Sequence, residues 1–150
     1  MCESMNILIL NGPNLNMLGQ RDPEMYGNNT LSDVKLDLEK TAEYLKVCVR
    51  HFQSNAESEI IDHIQSHRDK TDGVIINAGA LTHYGLSLRD SLIDARLPIV
   101  EVHISNIHAR DEYRSRSIVA DIAVGQIAGL GWKGYSLALA ALVNHLETLT

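Results

Sequence analysis

The chain has 150 residues, a length that suits one domain with a core of its own. Hydrophobic residues make up 45%, and 13 Lys+Arg against 19 Asp+Glu leave a net charge of −6, which argues against a general nucleic-acid or anionic-membrane binder. No apolar run reaches the roughly 18–20 residues of a bilayer span, and two cysteines, Cys2 and Cys48, make no disulfide framework. Aromatics, at 5%, are too scarce for stacking platforms on single-stranded nucleic acid. Met1 to Leu10 carries neither a basic n-region nor a long apolar h-region, so a cytoplasmic location is expected.

Apolar runs and helical patterns alternate along the chain. Asn6 to Leu10 reads as a buried strand that stops at Asn11-Gly12-Pro13. Leu15 to Asn29 is long for a strand-to-helix connection, and such loops are usually lids or binding loops; Gly19 and Gly27 are its candidate hinges. Thr30 with Asp33 forms a capping-box pattern ahead of Leu31, Val34, Leu38, Ala42 and Leu45 at helical spacing. Lys46 to Arg50 is β-like. Ser54 with Glu57 predicts a second capping box, opening a helix that buries Ile60, Ile61 and Ile64. Gly73 to Asn77 is a third strand. Leu86 to Ala95 reads as a helix ended by Pro98, and Pro98 to His103 as a fourth strand. Ile118 to Leu130 has room for a short fifth strand. Gly134 to Leu149 is a final helix, apolar almost all round, which suggests burial against another subunit as well as the sheet.

Strands alternating with helices imply right-handed βαβ units. The near-continuous Val/Ile runs suit strands covered on both faces. The expected architecture is a single α/β domain over residues 1–150: a flavodoxin-like three-layer sandwich whose five-stranded parallel sheet has order 2-1-3-4-5.

Ligands of open α/β sheets bind beyond the carboxyl ends of the strands, and there this sequence places its polar residues. Asn11 and Asn14 follow strand one, Asn77 ends strand three with Thr82 and His83 just after, and strand four carries Glu101 and His103 into Ser105. Any one asparagine also suits an Asx turn. Glu101 and His103 are two apart on a strand and share a face, so the carboxylate can orient the imidazole. In the long first connection, Arg21 and Tyr26 are five apart. A phenol is a poor base at an ordinary pKa of about 10, and a nearby guanidinium favours the phenolate; Tyr26 is equally readable as a packing aromatic. Arg110, Arg114 and Arg116, beside His108, form a positive cluster in an acidic protein and suit an anionic small molecule such as a carboxylate.

Other signals are discounted. Gly129-Leu-Gly131-Trp-Lys-Gly134 matches G-x-G-x-x-G but lacks the following βαβ unit and ribose-binding acid, so close backbone packing is the better reading. His63 and His67 lack the glutamate of a zinc-protease helix and suit a solvated face. Asn11, Asn14 and Asn77 stand where a phospho-acceptor receiver would want acids, and Asn11-Gly-Pro-Asn14 is not the Ser/Thr-rich phosphate loop of a flavin module. A non-catalytic flavodoxin-like module that binds a small anion or signals is the alternative to an enzyme.

The blocks Asn11-Gly-Pro-Asn-Leu-Asn16, Arg21-Asp-Pro23, Tyr26-Gly27, Asn77-Ala-Gly-Ala-Leu-Thr-His83, Leu88-Arg-Asp90, Glu101-Val-His-Ile-Ser-Asn106 and His108-Ala-Arg110 closely resemble the type II 3-dehydroquinate dehydratases, in order and spacing, over about the whole chain. The resemblance implies cofactor-free and metal-free dehydration of 3-dehydroquinate, a cyclic keto acid, to 3-dehydroshikimate in the shikimate or quinate pathway. It also implies a homo-oligomer, a dodecamer built from trimers. Tyr26 matches the family's base and Arg21 the residue that keeps it anionic. His103 matches the general acid, Glu101 its orienting partner, and Asn14 the enolate-stabilising residue. Asn77, His83 and Arg114 match hydroxyl contacts, Ile104 and Ser105 the carboxylate site, and Asp90 a residue reaching in from a neighbouring subunit. Asp22, Ala80, Tyr84 and the Ser115-Arg116-Ser117 stretch depart from the usual pattern without removing a catalytic group. A Schiff-base route would need a buried lysine, and none of Lys35, Lys40, Lys46, Lys70 and Lys133 stands at a strand's carboxyl end.

Overall fold

Every second residue of the central strands faces the opposite side of the sheet, and both sides are apolar. In the computed structural model, which describes residues 4–150, β1 (Asn6–Asn11), β2 (Cys48–Gln53), β3 (Gly73–Asn77), β4 (Ile99–His103) and β5 (Gly125–Ala128) form one parallel sheet of order β2-β1-β3-β4-β5. Cys2 lies outside the described residues. Ile7, Ile9, Ile75, Val100 and Val102 pack beneath α2 (Leu31–Leu45) and α7 (Gly134–Thr148). Leu8, Leu10, Val74, Ile76 and Ile99 pack beneath α3 (Glu57–His67) and α5 (Leu86–Ala95). Each such aliphatic side chain, taken out of water, contributes about 1.5–3 kcal/mol. The sandwich and strand order are those expected from the apolar runs. No helix among the described residues is long and apolar enough to cross a membrane.

Two local expectations shift. The second strand starts at Cys48, because Lys46 turns left-handed (φ 59°) to close α2. The capping box at Ser54 does not form: Ser54 Oγ accepts from Ala56 N and bonds Glu59, so α3 begins at Glu57 with no side-chain cap. Glu57 instead accepts from Leu88 N and thereby caps the neighbouring α5. The box at Thr30 and Asp33 is present in full.

The long first connection is structured. Leu15 and Leu18 are buried and anchor its start, and α1 (Pro23–Tyr26) begins at a proline after Asp22, whose side chain accepts from Glu24 N. Gly19 and Gly27 both have positive φ, 91° and 75°, which glycine adopts without strain. Gly129 (φ 87°) packs against the backbone and Cβ of Asn106, which accounts for that glycine-rich stretch as close packing. On α7, one side is buried and Leu137, Ala140 and Ala141 are left outside.

Candidate active site

The floor of the site comes from two loops locked backbone to backbone. A Cβ on Gly12 would stand 2.3 Å from the Ala78 carbonyl oxygen, and one on Gly79 2.9 Å from the Pro13 carbonyl oxygen. Only glycine permits both approaches. Asn11 and Asn77 are register partners at the ends of β1 and β3. Between them lies Tyr135 of α7, fully buried, whose hydroxyl donates to Asn11 Oδ1 (2.7 Å) and accepts from Asn77 Nδ2 (2.8 Å). Burial pushes the Tyr135 phenol well above its ordinary range, against a smaller opposing effect of Asn77, so it stays neutral and bridges the two strands. Asn77 Oδ1 also accepts from Gly79 N. Asn77 therefore serves an Asx turn and a strand tie, and its second Nδ2 hydrogen is what remains for a ligand.

Beyond these strand ends lies a cavity of about 160 Å³, below the roughly 300–1,000 Å³ of drug-sized pockets and suited to one small molecule. His103, Ile104 and Ser105 reach it from the end of β4, Asn14 from the loop after β1, and His83 from α4 (Leu81–Tyr84). Asn14 is held in the left-handed region (φ 70°), with its N–H donating to Asn55. His83 Nδ1 donates to the Arg116 carbonyl at 2.7 Å, which leaves its Nε2 for a ligand. Arg21 and Tyr26 close the cavity from the lid, and Arg110 and Arg114 from the segment after β4, Arg114 on α6 (Glu112–Ser115).

Tyr26 is half-buried and sits between two cations. Arg21 Nη2 and Arg110 Nη1 each donate to its hydroxyl oxygen at 3.2 Å, and the Arg21 guanidinium lies 4.1 Å from the ring centroid. The pairing of Tyr26 with Arg21 was legible from their spacing. The contact of Arg110 was not, because 84 residues separate it from Tyr26; its places in the basic cluster and in the His108-Ala-Arg110 block were its signals. Arg114 of that cluster also lines the cavity, whereas Arg116 contributes its carbonyl to His83.

At the other end, His103 is 5% exposed and Glu101 fully buried. His103 Nε2 meets Glu101 Oε2 at 2.7 Å, leaving Nδ1 as the ring atom for the cavity. A buried carboxylate without partners would be costly, and this one has many. Thr82, Ser117 and Gln126 all donate to it. Burial alone would push the Glu101 carboxyl up; the hydrogen bonds and charge of His103, with Thr82 and Ser117, outweigh it and hold the carboxyl below its ordinary value. The sequence pointed to Glu101 and His103 by their alternation on one strand. It gave no sign of Ser117 and Gln126, which arrive from a loop and the neighbouring strand.

Asp90 is exposed on α5 and does not line this cavity within one chain. No lysine lines the cavity among the described residues. No group of three or more His, Cys, Asp or Glu among the described residues is arranged to hold a metal ion.

The family model described as dehydroquinase class II matches residues 5–143. A 3-dehydroquinate dehydratase of Halothermothrix orenii is 54% identical over 141 residues, covering 94% of this chain and 95% of that protein. Among solved structures, the type II dehydroquinase of Butyrivibrio crossotus superposes with a TM-score of 0.90 at 41% identity, covering 93% of this chain and 97% of that one. The type II dehydroquinase of Propionibacterium acnes gives a TM-score of 0.88, also at 41% identity, over 95% and 99% of the two chains.

Proposed function

The chain belongs to the class II dehydroquinase family, and from that premise we propose how it removes water from 3-dehydroquinate to give 3-dehydroshikimate. Tyr26, as phenolate, takes the proton α to the ketone. Its negative charge is balanced by the two guanidinium donors, Arg21 and Arg110. The electron pair left on carbon moves into the carbonyl as an enolate, which Asn14 stabilises directly or through a held water. The enolate then re-forms the ketone as the C–O bond to the β-hydroxyl breaks. His103 gives its Nδ1 proton to that hydroxyl, which leaves as water. Glu101, on Nε2, balances the charge of the imidazolium before transfer. Transfer of a proton from Tyr26 back to His103 through solvent resets the site, so the net change is loss of one water.

Asn77, His83 and Arg114 bind the substrate hydroxyls, and the Ile104 and Ser105 N–H groups with the Ser105 hydroxyl bind its carboxylate. Closure of the segment between Gly19 and Gly27 brings Tyr26 onto the substrate and excludes water. The absence of a cavity lysine supports an enolate route with no imine. The observation that carries this reading is the shared cavity: a phenol between two cations and an imidazole on a buried carboxylate line the same small space.

The test is the growth of ultraviolet absorption from the conjugated enone when 3-dehydroquinate is added. Borohydride with substrate should leave the enzyme active; irreversible labelling of a lysine would reject the imine-free route. A flavodoxin-like binding module without catalysis would give no enone.

The assembly we propose is a dodecamer of trimers. Exposed Leu86 and Ile93, four residues before and three after the exposed Asp90, share its face of α5, which supports a subunit contact carrying Asp90 to a neighbouring cavity. Light scattering of wild type and Asp90→Ala, with KM measured on both, tests it: smaller assemblies or a raised KM are expected, and no change in either counts against it.

A further inference from the structure

The carboxylate behind His103 has two equivalent oxygens, and the acid is aimed only if the carboxylate plane is held steady against the ring. Glu101 Oε2 meets His103 Nε2 at 2.7 Å and also accepts from Thr82. Ser117 holds that plane weakly: its single hydroxyl hydrogen is shared, with Oγ 2.8 Å from Oε1 and 2.7 Å from Oε2. Gln126 anchors one oxygen alone. The parallel register sets it beside Glu101 on β5, and its Nε2 donates to Oε1 alone, at 2.7 Å.

The amide has only one orientation compatible with a carboxylate, the NH₂ end inward. Its Oε1 therefore points outward, where His108 Nε2 donates at 2.8 Å. The other ring nitrogen of His108 lies 3.0 Å from the Ser115 carbonyl, and the ring sits between these two acceptors. A line of contacts thus runs from an exposed turn through His108, Gln126 and Glu101 to His103. His108 belongs to the 3-10 turn Ile107–Ala109, and the next residue is Arg110, one of the two cations on Tyr26. The same turn seats a donor behind the acid and a cation on the base.

We propose that Gln126, steadied by His108, is a positioning residue that anchors the Glu101 oxygen turned away from His103, fixes the carboxylate plane and so aims the general acid. This rests on the reading of His103 as that acid. Neither Gln126 nor His108 lines the cavity, so their loss alters the aim of His103 while leaving the substrate contacts in place.

The experiment compares wild type, Gln126→Leu, His108→Leu, the double variant and His103→Ala, by steady-state kinetics and by nitrogen-15 NMR of the His103 ring. In Gln126→Leu, kcat should fall about tenfold, a misaimed group rather than a missing one, with KM within twofold and the His103 ring signals moved. His108→Leu should show a smaller loss of the same kind. The double variant should be no worse than Gln126→Leu, since linked residues are not additive. Wild-type kcat and unmoved His103 signals in Gln126→Leu would overturn the proposal; additive losses would remove His108 from it. Should Gln126→Leu fail to fold, His108→Leu on its exposed turn decides by the same two readouts. Full turnover in His103→Ala would instead reject the acid assignment, and the ring spectra would still report whether Gln126 orients His103.

Discussion

The two ends of the cavity are built on different principles. The His103 end stands on a central strand, is almost closed to water, and is held by hydrogen bonds from Thr82, Ser117 and Gln126, three places outside that strand. The Tyr26 end stands on a four-residue helix in a lid, half-open, and is held by two long cationic side chains. In the mechanism we propose, the proton donor must keep a fixed aim through the reaction, which suits a strand. The proposed base on the other face must let the substrate in first, which suits a segment that opens and closes.

The comparison is broken most severely by removing either reactive group. Tyr26→Phe and His103→Ala should each lower kcat by roughly 10²–10⁴-fold or more, with circular dichroism unchanged; full turnover in either would contradict its role. Glu101→Gln sharpens the contrast, because it damages both chemistry and fold at the rigid end. It should lower kcat and also cost about 1–3 kcal/mol, the range for a buried polar network left mismatched, read from a denaturant midpoint. Arg110→Ala touches only the lid end. It should lower kcat/KM by about one to two orders of magnitude, partly restored by added guanidinium, with the denaturant midpoint within about 0.5 kcal/mol of wild type.

The smallest effect is acid sensitivity, and it belongs to the rigid end. The Glu101 carboxyl is held below its ordinary 4.5 in the folded chain, so the unfolded chain takes up that proton first. Its contribution to stability is full above pH 4.5 and is lost as pH falls through the lower folded value. Burial also lowers His51 and His63 from 6.5, which begins a separate loss below that pH. Glu101→Gln should flatten the lower window and leave the upper one, as read from urea midpoints against pH.

The same division governs what the sequence revealed. The strands and their order follow from apolar runs alternating with helical patterns, and the Glu101–His103 pair from its two-residue spacing on one strand; both signals are local. The Arg21–Tyr26 pair lies within one loop. Arg110 on Tyr26, Gln126 on Glu101 and Tyr135 between Asn11 and Asn77 are long-range contacts, and they exist only once the sheet register and the helix packing are set. Ser54 misled for the same reason: its hydroxyl closes its own turn, while Glu57 serves the start of a different helix.

The buried hydroxyl of Tyr135 has a consequence in time. It comes from the final helix, 124 residues after Asn11 and 58 after Asn77. A nascent chain that has already paired its first and third strands still holds two carboxamides with no keystone between them. The pocket floor is thus complete only once that last-made helix has docked.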